Sequence, residues 1–460
     1  MRPAVLIIGL CVTLLGCASI QNAPVNQPGS SAGLAGKVHL NFEERAQDDD
    51  DLIGLSFSGG GTRAAAFSFG VLSEMEHTPV RGGGNASMLD RVDFISGVSG
   101  GAVTAAYYGL RKRAGLADFR ERFLLRNAEE GLQTDLNLAT IGRAFAGGIN
   151  DSNGFPRWLD ANLFNGATFS EFREAGRPRV WINASDIYNR TPFVFGATAF
   201  AAMCSDLSKY PLANAVAASA AVPVAFAPVV IQTFPRQCND PLPAWIIRAR
   251  DDSHAPPMLQ SFAKAISRYH DGEIPYIKLL DGGLVDNFGL SGFTIARLSA
   301  DTPYGPLSPQ QAVKLRRGLF LVVDAKTGVS GNWINSVEGP TGVELVKAAA
   351  DTAIDASVGT SFTAFDRTMG DWQDSLIRWR CGLSAADRAR FGARPGWNCR
   401  DLKFFVGRLG FDQLDPERAA ALEAIPTRFR LPAEQVDSVI AAGRDVLRGS
   451  PAFRAFAGSM

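Results

Sequence analysis

The sequence predicts an α/β fold built on a mainly parallel sheet, and three observations carry that prediction. Two stretches, LIGLSFSGGGTRAAAFSFGVLSEM from residue 52 and RVDFISGVSGGAVTAAYYGL from residue 91, share one grammar: an apolar run, a glycine turn, then small residues at helical spacing. The two apolar runs, 52–57 and 92–96, lie about 35 residues apart, which suits a right-handed β-α-β crossover between parallel neighbours. Further short apolar runs at 179–185, 191–198, 229–234, 277–280, 318–323 and 402–406 read as strands set among helical segments.

In order along the chain, Met1 and Arg2 precede the apolar run VLIIGLCVTLLG and then Cys17. One basic residue and an apolar core too short to remain in a bilayer predict an export signal over residues 1–16. Leu14-Leu15-Gly16-Cys17 resembles a bacterial lipobox. The resemblance implies cleavage before Cys17, acylation of its sulfur and a lipid anchor in the cell envelope; Ala18 after the cysteine implies the outer membrane. Residues 17–50, rich in Gly, Pro, Ser, Asn and Gln, read as a flexible tether, and the carboxylates at 48–51 as a solvated run ahead of the first strand rather than a calcium site. The domain expected over 51–330 opens with the two turns. Residues 118–149 then read as helix, 155–164 as helix or loop, 212–221 as a small-residue helix stopped by Pro223, and 235–275 as a long loop with a helix near 258–269. The extension over 331–460 is expected to be mostly helical (342–358, 416–424, 432–447) and packed on the main domain. The apolar segments 193–203 and 226–234 suit core packing better than an acyl channel.

Composition excludes several functions. Lysine plus arginine and aspartate plus glutamate both number 46, so nothing marks a nucleic-acid partner. No C-x-x-C or H-E-x-x-H occurs and the four histidines are scattered, so neither metal nor cofactor is expected. Of six cysteines, Cys11 and Cys17 belong to the signal; Cys204, Cys238, Cys381 and Cys399 allow three disulfide connectivities, among them 204–238 with 381–399.

The chemistry lies in the turns. Gly97-Val98-Ser99-Gly100-Gly101 is a G-x-S-x-G between strand and helix, the spacing that lifts a serine hydroxyl off the sheet edge beside a helix N-terminus. Ser99 is therefore the candidate nucleophile. Gly59, Gly60 and Gly61 offer bare consecutive amides suited to an oxyanion hole. The same string fits a dinucleotide fingerprint, but that reading wants an acidic residue closing the second strand, where Ser96 to Ser99 stand instead. Spacing alone leaves the base open. No histidine follows His270, and His254 and His270 sit in a loop-like region. Asp281, closing a short apolar run before two glycines, can serve directly if burial raises its pKa; Asp286 and Asp324 compete.

These residues carry a resemblance. Ser58-Gly59-Gly60-Gly61-Thr62-Arg63, Gly97-Val98-Ser99-Gly100-Gly101, the block ASAAVPVAF at 218–226, and Asp281-Gly282-Gly283 occur in the order found in the patatin-like phospholipase family, which the chain resembles over residues 52 to 290. The resemblance implies a three-layer α/β/α sandwich and a lipid acyl hydrolase acting on phospholipid or another acyl ester. It implies Ser99 as nucleophile, Asp281 as base without histidine, Gly59, Gly60 and Gly61 as oxyanion hole, and Arg63 beside it. Ser58 stands where many members have aspartate and Ala64 where many have glycine; neither change removes a backbone donor. A catalytically silent, lipid-anchored binding protein and a Ser-His-Asp esterase are the other readings.

Overall fold

A computed structural model describes residues 22–29, 50–80, 84–133, 143, 147–173, 178–237, 240–328, 332–335 and 337–460. The expected signal and Cys17 lie outside the described residues. One eight-stranded sheet organises the chain: β1 (Asp51–Phe57), β2 (Val92–Val98), β3 (Arg179–Asp186), β4 (Thr191–Val194), β5 (Val229–Gln232), β6 (Tyr276–Asp281), β7 (Arg317–Asp324) and β8 (Lys403–Gly410). Their order is β5-β6-β3-β2-β1-β7-β8, with β4 paired to β3. The five neighbours β3-β2-β1-β7-β8 run parallel, while β4, β5 and β6 are antiparallel to the strands they pair with. β1 and β7 are buried along almost their whole length, as strands covered on both faces must be, and both read as near-continuous apolar runs.

Helices cover the two faces. α1 (Gly61–His77) and α2 (Gly100–Arg111) follow β1 and β2, and α3 (Leu212–Ser219) and α4 (Pro257–His270) cover the half built by β3 to β6. α5 (Gly342–Cys381) and α6 (Pro416–Glu423) flank the other half, and α7 (Ala433–Gly449) lies along α1. The expected face of α7 is the buried one, with Val436, Val439, Ile440, Val446 and Leu447 all inside. Its axis comes very close to α1: a Cβ on Gly70 would sit 2.2 Å from the Ile440 carbonyl, and one on Gly443 2.3 Å from that of Phe67. The segments 193–203 and 226–234 pack in the main core, with Phe193, Phe195, Phe200, Met203 and Ile231 buried there.

Several expectations give way to the structure. The boundary at residue 330 does not break the sheet, because β8 adds to β7 in register from Arg317↔Lys403 to Asp324↔Gly410. The helix expected at 342–358 continues to Cys381, carried by Phe365, Met369, Trp372 and Leu376 at i, i+4, i+7 and i+11 against a second aromatic core. Residues 118–149 do not form one helix: a helical turn ends at Leu124, and the chain to residue 133 is turns, with 134–142 and 144–146 outside the described residues. The loop at 235–275 holds two helices, Ala244–Asp251 and α4. The tether is not free throughout. The Asn26 side chain bonds both backbone groups of Gln232 (Nδ2 to O, 2.8 Å; Oδ1 from N, 3.0 Å), Gly29 donates to Cys204, and Asn22 Nδ2 donates to the Pro228 carbonyl. Nor is the whole acidic run solvated: Asp51 is buried and pairs with Arg317 Nε at 2.6 Å, and Asp50 pairs with Arg394.

Cys381, the last residue of α5, is disulfide-bonded to Cys399 across a separation of 18 residues. Cys204 is also disulfide-bonded. Closing a loop of the Cys381–Cys399 length in the unfolded chain is worth about 3 kcal/mol. Replacing Cys381 and Cys399 together by serine is expected to lower stability by about that amount in a urea titration, with the m-value showing whether the change acts on the unfolded state.

Candidate active site

Ser99 stands between β2 and α2 at φ 50° and ψ −119°, a conformation that non-glycine residues adopt only when their surroundings hold them there. The hold is visible. The Ser99 backbone N–H donates to Ser219 Oγ at 2.8 Å, and Ser219 Oγ donates to the Asn183 carbonyl at 2.5 Å. Asn183 Nδ2 in turn bonds Ser96 Oγ (2.8 Å) and the Gly97 carbonyl (2.9 Å), fixing the strand that leads into the turn.

Asp281 reaches the serine from the opposite direction to the parallel strands. β6 is antiparallel to β3, and its last residue pairs with Ala184, next to Asn183, which itself pairs with Val98. The block 219–221 clasps both partners: Asp281 N–H donates to the Ala221 carbonyl (2.8 Å) and Gly282 N–H to that of Ser219 (3.1 Å). Ser99 is 4% exposed and Asp281 5% exposed, so the pair is nearly sealed from water. Burial pushes the Asp281 carboxyl up to about 6; its hydrogen bonds from the Gly283 N–H (2.8 Å) and the Ser99 hydroxyl pull the other way but do not win. Such a carboxyl accepts a proton far more readily than an ordinary aspartate and is still mostly ionised at neutral pH.

The glycine loop passes over the start of α2 with no clearance. A Cβ on Gly100 would sit 1.9 Å from the Gly61 carbonyl oxygen. Gly60 and Gly61 take φ of 136° and 57°, open to glycine and strained for other residues. Gly59 N–H is engaged by the Asn287 carbonyl and Oδ1, both at 3.2 Å, and Thr62 N–H by the Arg428 carbonyl at 2.8 Å. The amides of Gly60 and Gly61 make no such bond among the described residues. Arg63, buried and lowered to about 10 by desolvation, turns away from Ser99: Nε donates to the Ala325 carbonyl (3.1 Å), Nη1 to that of Ile425 and Nη2 to Thr427 Oγ1 (3.2 Å). It ties the loop to β7 and to the segment after α6. Ser58 adds a second tie, accepting from Ala325 N–H at 2.9 Å.

The competing bases are committed elsewhere. Asp286 Oδ2 accepts from Ser291 N–H at 2.6 Å, and Asp324 Oδ2 from Arg408 Nη1 at 2.9 Å. The His254 side chain is 95% exposed; His270 bonds Asp271 and the Asp240 carbonyl. No described histidine touches Ser99. Sequence reasoning misses Asn183, Ser219 and Asn287. Ser219 lies in the ASAAVPVAF block and Asn287 six residues past Asp281, so proximity to a motif is the available signal; Asn183, inside an ordinary strand, has none. α5 closes the site from above, with Ile354 3.4 Å from where a Cβ on Gly283 would lie and Ser357 Oγ accepting from Asn287 N–H. No cluster of metal-ligating side chains occurs among the described residues.

Solved structures with similar architecture include the human GIVD cytosolic phospholipase A2, at 12% identity and a TM-score of 0.43, over 89% of this chain and 63% of that one. VipD from Legionella pneumophila is another, at 13% identity and a TM-score of 0.33, over 96% of this chain and 73% of that one. The chain thus spans less than two thirds of the length of the human enzyme. No curated protein matches the sequence. The family model described as patatin-like phospholipase matches residues 55–294, from within β1 to just past the Asp281 turn, and takes in both the Ser99 and the Asp281 turns. With just over half its length so matched, the chain belongs to the patatin-like phospholipase family.

Proposed function

We propose that the protein hydrolyses the carboxylic ester of a membrane lipid through Ser99 and Asp281 alone. The observation that carries this reading is the meeting of Ser99 and Asp281, both nearly sealed from water, at one clasp: Ser219 Oγ accepts from the Ser99 N–H and the Ala221 carbonyl from the Asp281 N–H. Ser99 Oγ attacks the acyl carbonyl as its proton passes to Asp281. The Gly60 and Gly61 amides receive the oxyanion. Collapse of the tetrahedral intermediate breaks the ester C–O bond, and Asp281 returns the proton to the departing alcohol, leaving Ser99 acylated. A water molecule then gives a proton to Asp281, attacks the acyl carbon and releases a free fatty acid, and the proton returns to Ser99 Oγ. Every proton is accounted for by one carboxyl.

A second strand of the proposal concerns location. Among the described residues no helix is long and apolar enough to cross a membrane. The lipobox resemblance supports an anchor at Cys17 in the outer membrane, which would hold the enzyme at its substrate. A lipid-anchored protein without turnover has no use for a buried carboxyl clasped beside a strained serine.

A serine-reactive fluorophosphonate tests the chemistry. Wild-type protein is expected to label with one equivalent, and Ser99→Ala not at all. Labelling of folded Ser99→Ala, or a folded wild type that stays unlabelled under conditions where a control serine esterase reacts, sinks the proposal.

A further inference from the structure

Asn287 stands between the two turns that form the site, and it is 7% exposed. Its Oδ1 lies 2.6 Å from where a Cβ on Gly59 would stand and 2.8 Å from where one on Gly283 would. The first of those positions is 3.4 Å from Ser99 Cβ, and the second is 3.1 Å from Asp281 Oδ1. The side-chain amide is therefore wedged beside the nucleophile and the base at once, with Ile354 of α5 closing the Gly283 side at 3.4 Å.

The two ends of that amide are used differently. Oδ1 accepts from the Gly59 N–H at 3.2 Å, which fixes the orientation, because an N–H can be met only by the oxygen. Nδ2 is turned the other way and carries two N–H bonds. It has no partner among the described residues, yet it is not cut off from the surface as Asn183 Oδ1 and Thr62 Oγ1 are. Buried amides in folded proteins spend their donors almost without exception, so one left unspent beside Ser99 marks a contact reserved for what enters the site. The neighbouring backbone donors show the need. The Ser99 N–H is taken by Ser219 Oγ and that of Gly59 by Asn287 itself, which leaves Gly60 and Gly61.

We propose that Asn287 is a catalytic residue whose Nδ2 donates to the acyl carbonyl oxygen as that oxygen becomes an oxyanion, a third donor beside the Gly60 and Gly61 amides. Two features select the oxyanion over the departing alcohol. Oδ1 is held by Gly59, so the amide belongs to the loop that carries the other donors. The departing oxygen takes its proton from Asp281 and has no need of a second donor, whereas each donor aimed at the oxyanion strengthens as charge develops there. The assignment deepens the ester-hydrolase reading and rests on it for the identity of the reacting atom.

The experiment uses the full chain and two substitutions with opposite side effects. Asn287→Asp keeps the size and the acceptor for Gly59 but lacks the N–H; Asn287→Leu lacks the N–H and brings no charge. Each is expected to lower kcat by about 10²–10³-fold with KM nearly unchanged. The loss should be the same for p-nitrophenyl butyrate and ethyl butyrate, and affinity for an alkyl trifluoromethyl ketone, which Ser99 converts to a hemiketal oxyanion, should fall by the same factor. If Asn287 merely clamps Gly59, Asn287→Asp stays active; if only the new charge matters, Asn287→Leu stays active. Either result overturns the assignment, as does a loss confined to the ethyl ester, which would put the amide on the departing oxygen. Asn287→Ala replaces the leucine variant should that one fail to fold. Active variants beside an active wild type refute Asn287 alone; a folded wild type that cleaves neither ester and ignores the fluorophosphonate removes the hydrolase reading and this assignment with it.

Discussion

Replacing Asp281 by asparagine is expected to lower kcat by about 10²–10⁴-fold, the range that a positioned general base supplies, while leaving the protein folded and more stable. The activity loss follows because the amide cannot take the Ser99 proton. The stability gain follows from burial. A carboxyl raised from 3.8 to about 6 is one whose ionised form the fold disfavours. The folded state therefore binds the proton more tightly than the unfolded chain does. Stability from this group is full below about pH 4, falls as pH rises through about 6, and is flat above that. At neutral pH the cost is about 3 kcal/mol on a scale of 1.36 kcal/mol per pKa unit. The substituted amide would carry no charge and would still accept from the Gly283 N–H. The melting temperature of Asp281→Asn should therefore exceed that of the wild type at pH 7.5 and approach it at pH 4. In the wild type, kcat/KM should rise with pH along a limb centred near 6, because only the carboxylate form is a base. A limb near 4 with unchanged activity in Asp281→Asn would assign the base elsewhere.

Gly100→Ala has the second largest expected effect, and it acts through backbone rather than chemistry. The added carbon would lie 1.9 Å from the Gly61 carbonyl oxygen and 2.6 Å from its carbon, both backbone atoms that cannot swing aside. Relief requires the glycine loop and the Ser99 turn to separate. Overpacking of this kind costs typically about 1–3 kcal/mol, and displacing even one oxyanion donor costs about 10²–10³ in rate. A loss of at least about 100-fold in kcat with a melting temperature lowered by several degrees is expected. Gly370→Ala is the control: it lies inside α5 with nothing within 4 Å of the new carbon, and a helix interior favours alanine by up to about 1 kcal/mol. If Gly100→Ala keeps full activity, the close crossing of the two turns is not what sets the site.

The parts of this architecture that are legible in sequence are those where one residue type answers one backbone demand. Gly60, Gly61 and Gly100 stand where side chains cannot, and Ser99 stands at a strained strand-to-helix turn, so the two turns can be read directly. Pattern also locates all eight strands, though not the direction of β6: Ile277 and Leu279 read the same whether their partner runs parallel or antiparallel. What sequence does not supply is long-range and polar. Asn26 bonds Gln232 as a strand residue would, from a segment whose composition matches a linker. The carbonyl of Arg428 binds Thr62 from the far end of the chain, and any residue type offers a carbonyl. The pattern makes α5 too short because Gly359 and Gly370 interrupt it, and its buried stripe begins only at Phe365, beyond the predicted end.

The docked N-terminal segment bears on where the proposed activity can work. Asn22 is fastened to the Pro228 carbonyl and to Ser152 N–H. If Cys17 carries the acyl chains, about five peptide units separate the bilayer from a fixed point on the body, a leash of at most about 17 Å. The catalyst would then graze a small disc of lipid around its own anchor, in the leaflet that holds it, rather than sweep freely between surfaces.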